Sequence, residues 1–116
     1  MREPFRKKIS DIPFEKAHNA TGYRRTIALP KEGISENLDG ITKGYLPVGH
    51  SFDWHNHIGY DEFFWVLQGS GKVEFEGKPT INYSVGDFVY MPTPIKHKIT
   101  NTSNQTNIFY FVRVRE

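Results

Sequence analysis

The sequence predicts an all-β fold, either a sandwich or a barrel built from short strands. Short extended runs recur along the chain with Gly, Pro and Asn between them, which is typical of these architectures. Aromatic residues make up 15% of the chain, and such side chains favour strands. No segment longer than a turn or two has the apolar spacing of a helix.

The elements follow from where the turn signals fall. Residues 1–20 lack clean alternation, so we expect an N-terminal arm there. Nine extended runs follow, separated by turn signals such as "PKEG", "PVG" and "GKP". The "GSG" turn predicts a hairpin between the runs on either side of it. The runs in order are "YRRTIAL", "ITKGYL", "SFDWHNH", "EFFWVLQ", "KVEFE", "TINYS", "FVYM", "IKHKITN" and "NIFYFVRVR".

Length and composition limit the class of protein. The 116 residues make one domain, 1–116. The chain has no cysteine, so a bound metal must use His, carboxylate or other oxygen ligands. Its net charge is only +2, and the basic residues near the N-terminus indicate a solvated end. Neither a secretion signal nor an apolar run of about 18 residues is present. We therefore expect a cytoplasmic protein without a nucleic-acid or membrane partner.

Strand alternation predicts which side chains of "SFDWHNH" share a face, because successive side chains point to opposite sides. By this rule Asp53, His55 and His57 lie on one face, and Phe52 and Trp54 lie on the other. Two imidazoles two residues apart on one strand face can lean onto a common ion. Asp53 could then orient an imidazole, act as an acid in the pocket, or lie at the solvated rim.

A third histidine, His97, is predicted to point inward. In "IKHKITN" the two lysines take one side, so the side with the isoleucines and His97 marks the interior. Glu62 shares its face with apolar residues of "EFFWVLQ". Two other histidines, His50 in a loop and His18 in the arm, are not expected to be ligands.

Burying three histidines and a glutamate together is costly unless a cation is present. An uncompensated buried carboxylate costs several kcal/mol, and a divalent cation removes that cost. Neutral imidazoles supply further lone pairs to the same ion. The alternative is a barrel without a metal, in which the histidines only make hydrogen bonds.

The spacing of these residues resembles the first signature motif of the cupin superfamily, over residues 49–69. Gly49 is followed after five residues by His55, after one more by His57, after four by Glu62 and after six by Gly69. The motif is complete and shows no departure.

Residues 86–101 resemble the second cupin motif. Gly86 is followed after five residues by Pro92, and His97 is followed after three residues by Asn101. The chain departs from the motif at Pro94, where cupins usually have Gly. This departure concerns the turn before His97 and not the ligand itself.

The resemblance implies a small single-domain cupin, a jelly-roll or double-stranded β-barrel that is commonly a homodimer. It also implies one divalent transition metal in the barrel, and family members carry Mn, Fe, Ni, Zn, Co or Cu. The ligands carried over by the motifs are His55, His57, Glu62 and His97.

The pocket is expected to be mainly apolar. In "NIFYFVRVR" an outward Arg113 places Phe109 and Phe111 outward and Tyr110 inward. Tyr110 and Asp53 are the candidates for proton transfer, although a buried phenol could equally bond to the backbone. The residues expected to line the pocket are Phe64, Val66, Ile95 and Ile99.

These expectations favour a metal-dependent enzyme acting on a small organic molecule, such as a dioxygenase, isomerase, decarboxylase or lyase. The alternative is a cupin that senses or holds a small ligand without converting it. A nucleic-acid-binding protein is a weaker third class, because basic and aromatic residues do not interleave as a stacking platform requires.

Overall fold

The computed structural model describes residues 3–17 and 22–116, so the expectation for His18 lies outside the described residues. Within these ranges the chain forms ten β-strands and two 3-10 helices, which confirms the all-β prediction. No helix in the described part is long and apolar enough to cross a membrane. The 3-10 helices are Ile9–Asp11 and Pro30–Glu32, and the strands are β1 (Glu15–Lys16), β2 (Tyr23–Ala28), β3 (Leu38–Leu46), β4 (Ser51–His55), β5 (Tyr60–Gln68), β6 (Gly71–Phe75), β7 (Lys78–Tyr83), β8 (Phe88–Met91), β9 (His97–Asn101) and β10 (Asn107–Arg115).

The strands form two antiparallel sheets around one interior. The first sheet has the strand order β1-β2-β3-β10-β5-β8, and the second has the order β4-β9-β6-β7. The last strand, β10, lies between β3 and β5, and β9 lies between β4 and β6. Strands close in sequence are therefore often apart in the sheet, which is the connectivity of a jelly roll.

The core between the sheets is mainly aromatic and aliphatic. Phe64 and Phe109 of the six-stranded sheet are fully buried, and their ring centroids lie 5.2 Å apart at an interplanar angle of 82°. Val73 and Ile99 of the four-stranded sheet pack into the same core cluster. Edge-to-face ring contacts of this kind add to the hydrophobic stabilisation from burial.

The predicted hairpin at "GSG" is wrong, because the chain crosses between the sheets at this point. β5 pairs with β10 and β8, whereas β6 pairs with β7 and β9. Gly69 has a φ of +83°, which favours glycine, and a Cβ there would lie 2.1 Å from the side-chain nitrogen of Asn107. The glycine therefore serves a tight crossing from one sheet to the other.

The prediction for β10 was wrong, because the face expected to point outward points inward and the other face points outward. Phe109 and Phe111 are buried, while Tyr110 lies on the outer face beside the indole of Trp65. Arg113 was expected outside because it is charged, but it faces inward, where acidic side chains pair with it. A charge that is paired can be buried, so the interior side of β10 is the side that carries the arginine.

A β-bulge overturns the predicted facing of Asp53. Phe52 pairs with Ile99 and His55 pairs with His97, so two residues of β4, Asp53 and Trp54, lie opposite one residue of β9. The extra residue resets the alternation, and Phe52 is buried at 3% exposure while Asp53 is exposed. The prediction that Asp53 shares the histidine face is therefore wrong.

The N-terminal arm packs on the outside of the six-stranded sheet. β1 pairs with β2 at the sheet edge. The ring of Phe14 meets those of Tyr23 and Tyr45 edge-on, with centroids 5.0 Å and 5.1 Å away. The Arg25 guanidinium lies 3.9 Å from the Phe14 ring centroid and donates a hydrogen bond to the Ile12 carbonyl at 2.6 Å.

Candidate metal centre

Four side chains that could bind a metal meet between the two sheets. His55 ends β4, His57 lies just after it, Glu62 lies in β5 and His97 begins β9. One nitrogen or oxygen atom of each residue lies within 4.8 Å of those of the other three. The structure therefore brings together all four residues that the motifs singled out, and we call them the metal cluster.

The distances within the metal cluster fit a single ion. Nε2 of His55 lies 3.1 Å from Nε2 of His97, and Oε1 of Glu62 lies 3.2 Å from Nε2 of His57 and 3.7 Å from Nε2 of His97. Ligands about 2.1 Å from one ion lie about 3.0 Å apart at a right angle and about 3.4 Å apart at the tetrahedral angle. Three imidazoles with one carboxylate also form a donor set suited to a divalent transition metal.

A backbone carbonyl determines which nitrogen of His55 faces the cluster. Nδ1 of His55 lies 2.6 Å from the carbonyl oxygen of Asp53. Because a carbonyl only accepts hydrogen bonds, Nδ1 carries the hydrogen, and Nε2 is the nitrogen left to face the cluster. The bulge thus turns the Asp53 side chain outward but uses its main chain to orient the imidazole.

The loop that carries His57 is tied to the loop before β9. The Thr93 hydroxyl donates to the His57 carbonyl, and the Thr93 backbone N–H donates to Oδ1 of Asp61 at 2.9 Å. The Asn56 amide donates to the Pro94 carbonyl at 3.1 Å, and the peptide bond before Pro94 is cis. The departure from the second motif at Pro94 therefore leaves the two ligand loops in contact.

Glu62 is buried at 5% exposure. Burial by itself would raise its pKa, but the hydrogen bond from His57 and electrostatic interactions with His57, His97 and Arg113 hold the pKa of Glu62 below its usual value. Arg113 places Nη1 3.8 Å from the Glu62 carboxylate and Nε 3.0 Å from the carboxylate of Asp39. Glu62 is thus kept as a carboxylate, the form that binds a cation.

His97 is the most deeply buried histidine of the metal cluster, at 2% exposure. Burial, together with the neighbouring His55, lowers the pKa of His97 to about 4. The ring is therefore neutral at pH 7, and a neutral imidazole is the form that coordinates a metal.

The pocket beside the metal cluster is more polar than expected. Its enclosed cavity is small, about 20 Å³, which is room for about one water molecule. Of the four residues expected to line it, only Ile99 does so, whereas Phe64 and Val66 belong to the core and Ile95 packs against that core. The lining residues are Ala17, Arg24, Thr42, Gly44, Phe52, His55, Glu62, Ile99, Phe111 and Arg113.

Two glycines of β3 leave room on the inner face of the six-stranded sheet. A Cβ at Gly44 would lie 2.6 Å from the ring of Phe111, and one at Gly40 would lie 2.6 Å from Nη2 of Arg113. Long side chains from the neighbouring strand therefore lie across β3, which has no side chain at these two positions.

Sequence reasoning missed the polar lining residues Arg24, Thr42 and Arg113. The signal available was the pair of glycines four residues apart in the run "LDGITKGYL", because glycine inside a strand marks a close approach. Neither candidate for proton transfer, Asp53 or Tyr110, is among the residues that line the pocket.

The fold and the metal cluster together define a small jelly-roll barrel with three histidines and one glutamate in its interior. Residues 44–113, more than half of the chain, match the family model of the cupin domain. The chain therefore belongs to the cupin family, and the resemblance seen in the two motifs is confirmed.

Three comparisons show how far the similarity extends. The chain is 28% identical over 101 residues to the oxalate-binding protein of Thermotoga maritima, covering 84% of this chain and 83% of that protein. It is 27% identical over 73 residues to the uncharacterized protein MJ1618 of Methanocaldococcus jannaschii, covering 63% of this chain but only 55% of that protein. The crystal structure of a predicted oxalate decarboxylase from Thermotoga maritima matches with a TM-score of 0.80 and 26% identity, covering 94% of this chain and 97% of that one.

Proposed function

We propose that this protein binds one divalent transition metal and is a metal-dependent enzyme acting on a small organic molecule. The proposed ligands are His55, His57, Glu62 and His97. The observation that carries the proposal is that one donor atom from each of these residues lies within 4.8 Å of the others, beside a small pocket. Mn, Fe, Ni, Zn, Co and Cu all accept this donor set, so the ligands do not select among them.

The protein's own residues prepare this site. A bound metal would supply Lewis-acid polarisation or activation of dioxygen. The Asp53 carbonyl holds the His55 ring in its orientation, and Arg113 and the histidines keep Glu62 ionised. Phe52, Ile99 and Phe111 make the apolar part of the lining and limit water around the ligand.

The reaction type is proposed among dioxygenase, isomerase, decarboxylase and lyase chemistry. Decarboxylation of oxalate is the first reaction to test, because the Thermotoga maritima sequence and structure that match this chain are described as an oxalate-binding protein and a predicted oxalate decarboxylase. The polar lining supports a polar substrate over a purely apolar one.

The second candidate function is a non-catalytic cupin that holds or senses a small ligand. One observation favours it. Among the described lining residues, the titratable side chains are two arginines, Arg24 and Arg113, and two proposed metal ligands, His55 and Glu62. A separate side chain suited to move protons at pH 7 is thus missing from this lining, and conversion would have to depend on the metal.

Measuring the metal content is the direct test of the proposed site. Two variants are compared with the parent, one with a histidine of the cluster replaced and one with a histidine outside it replaced. His97→Ala removes a proposed ligand, whereas His50→Ala removes an exposed histidine that makes its hydrogen bonds to Pro47 and Asn101 through its backbone. Elemental analysis after purification should give about one metal per chain for the parent and for His50→Ala, and far less for His97→Ala. Equal metal content in the parent and His97→Ala would refute the metal site.

Turnover then separates the two candidate functions. The metal-loaded parent is incubated with oxalate under air, and the release of carbon dioxide and the loss of oxalate are measured. Binding of oxalate without its consumption supports the non-catalytic alternative, and consumption that disappears in His97→Ala supports the enzyme.

We also propose a cytoplasmic homodimer. Large apolar side chains remain exposed on the outer surface, including Phe88 at 61%, Tyr90 at 51% and Trp54 at 45%. Association of two copies would cover such a surface, which supports the dimer. Light scattering coupled to size exclusion should give twice the monomer mass, and a monomer would contradict the proposal.

A further inference from the structure

The pocket beside the metal cluster is lined by two positively charged side chains. Two of its ten lining residues are arginines, Arg24 from β2 and Arg113 from β10, and Thr42 of β3 adds a hydroxyl group. A small apolar or neutral ligand would gain little from two guanidinium groups. A ligand that carries an anionic group of its own would gain a charge-assisted hydrogen bond.

The two arginines differ in how far they are already engaged. Arg113 donates through Nε to Asp39 at 3.0 Å, and its Nη1 lies 3.8 Å from Glu62. Its side chain is 16% exposed. Arg113 is therefore held between two carboxylates of the protein, and its role is to keep Glu62 in place.

Among the residues that the structure describes, Arg24 pairs with Glu15, through one position of its guanidinium. Its Nε donates to Oε1 of Glu15 at 3.2 Å, which leaves the two terminal nitrogens of the guanidinium to donate to a ligand. Its side chain is 31% exposed, so a ligand entering from solvent can reach it. The Glu15 contact also shows that a carboxylate can approach this guanidinium in the folded protein.

The sheet brings the Arg24 side chain to the pocket. Arg24 pairs with Gly44 on β3, and Gly44 itself lines the pocket. Gly44 has no side chain and the ring of Phe111 lies over it, so Arg24 and Phe111 line the pocket at this point. Metal ligands His55 and Glu62 line the same pocket.

We propose that Arg24 recognises a carboxylate of the ligand, so that the ligands of this site are small organic acids. The proposal rests on the metal-dependent function above, since a second oxygen of the same molecule would bind the metal. A planar guanidinium with two parallel N–H donors matches a carboxylate in geometry and charge. Arg24 thus determines specificity and is separate from the metal ligands.

The test compares four variants of the metal-loaded protein. Arg24→Gln removes the guanidinium, and Arg24→Lys keeps the charge but loses the planar pair of donors. Glu15→Gln removes the internal partner of Arg24. Lys43→Gln removes one positive charge from the outer side of β3, where Lys43 lies near the rings of Tyr45 and Tyr110. Each is titrated by calorimetry with oxalate, malonate, pyruvate and the neutral analogue oxamide, after its metal content has been measured.

We expect at least one of the three acids to bind the parent, and oxamide to bind much more weakly. Arg24→Gln should weaken acid binding at least about 10-fold while its metal content stays at the parent level. The acid affinity of Arg24→Lys should lie between those of Arg24→Gln and the parent. Lys43→Gln should bind the acid with the affinity of the parent. Glu15→Gln should bind the acid as tightly as the parent or more tightly, because it frees Arg24.

Four outcomes would overturn the proposal. Arg24→Gln could bind the acid as the parent does, or Arg24→Gln and Glu15→Gln could weaken binding equally, which would mean that Arg24 only anchors the arm. A parent that holds metal but binds no acid would also exclude organic acids and leave the metal site standing. A parent that holds no metal would refute the proposed function, and this proposal with it.

Discussion

The interior of the barrel contains two groups of buried polar side chains, and their hydrogen bonds are arranged in opposite ways. The first group, which we call the asparagine network, consists of Tyr83, Asn101, Ser103 and Asn107. The Tyr83 hydroxyl donates to Oδ1 of Asn107 at 2.6 Å, the Asn101 amide donates to the Leu46 carbonyl at 2.9 Å, and Ser103 donates to Oδ1 of Asn101 at 2.8 Å. Donors and acceptors alternate, so the network is satisfied by the protein alone.

The metal cluster instead brings imidazole nitrogens and carboxylate oxygens, the atoms that bind a cation, toward one point. Nε2 of His55 and of His97 lie 3.1 Å apart, and the Glu62 carboxylate lies beside two of the imidazoles. Acceptors that converge on one point are best satisfied by a cation. Burial alone therefore does not identify a functional site, and the direction in which the buried lone pairs point does.

The largest expected difference between the two groups is their response to acid. The pKa of His97 is about 4 in the folded protein, against about 6.5 for a histidine in an unfolded chain. Between these pH values only the unfolded chain takes up the proton, so the free energy of unfolding falls as the pH falls from 6.5 to 4. The contribution is about 3 kcal/mol, and it is constant above pH 6.5.

Urea unfolding of the metal-free protein at several pH values measures this effect. The variant His97→Gln lacks the titrating ring, so its free energy of unfolding should fall less over the same range. The prediction would be contradicted if the free energy of unfolding changed equally with pH in the parent and in His97→Gln. The asparagine network should not change the free energy of unfolding with pH in this range. Its only titratable group is Tyr83, and burial raises the pKa of Tyr83 above its usual value.

The second expected effect is on metal affinity. Glu62→Gln keeps the shape of the side chain but removes the only carboxylate of the metal cluster. We expect the metal affinity to fall by about 100-fold or more, since even the loss of a residue behind a ligand costs about 10- to 100-fold. Competition with a chelator measures the affinity, and circular dichroism checks the fold. A loss below about 10-fold would place the ion elsewhere.

The smallest expected effect comes from opening the asparagine network. Asn107→Ala leaves the Tyr83 hydroxyl without its partner at 2.6 Å in a buried position. We expect the free energy of unfolding to fall by about 1–3 kcal/mol, the usual cost of an unsatisfied buried group. Metal affinity should change less than about 2-fold. If Asn107→Ala lowers metal affinity as strongly as Glu62→Gln, the two groups are not independent.

The sequence was sufficient to predict the all-β fold and to predict that the four residues of the metal cluster lie together. These features depend on short-range spacing, since turn residues separate the strands and the ligands recur at the spacings of two motifs. The prediction for Asp53 relied on strict alternation of side chains and was wrong. A single bulge in β4 changes which face of the sheet the side chains beyond it point to. Such an irregularity depends on the partner strand, β9, which cannot be identified from one strand's own residues.

The pocket could not be predicted for a related reason. Both faces of β10 carry apolar residues, so its inward side depends on what lies opposite. Arg113 faces inward because Asp39 and Glu62, distant in sequence, pair with it there. The expected hairpin at Gly69 failed because a glycine turn permits both a hairpin and a crossing between sheets.

The metal cluster draws its members from both sheets, since His55 and His97 belong to the four-stranded sheet and Glu62 to the six-stranded one. An ion held there would be a cross-link between the two halves of the barrel, in a chain that has no cysteine to form a covalent one. Loading and unloading the site would then change how firmly the two sheets are clamped together, and the rigidity of the whole molecule would report whether the centre is filled.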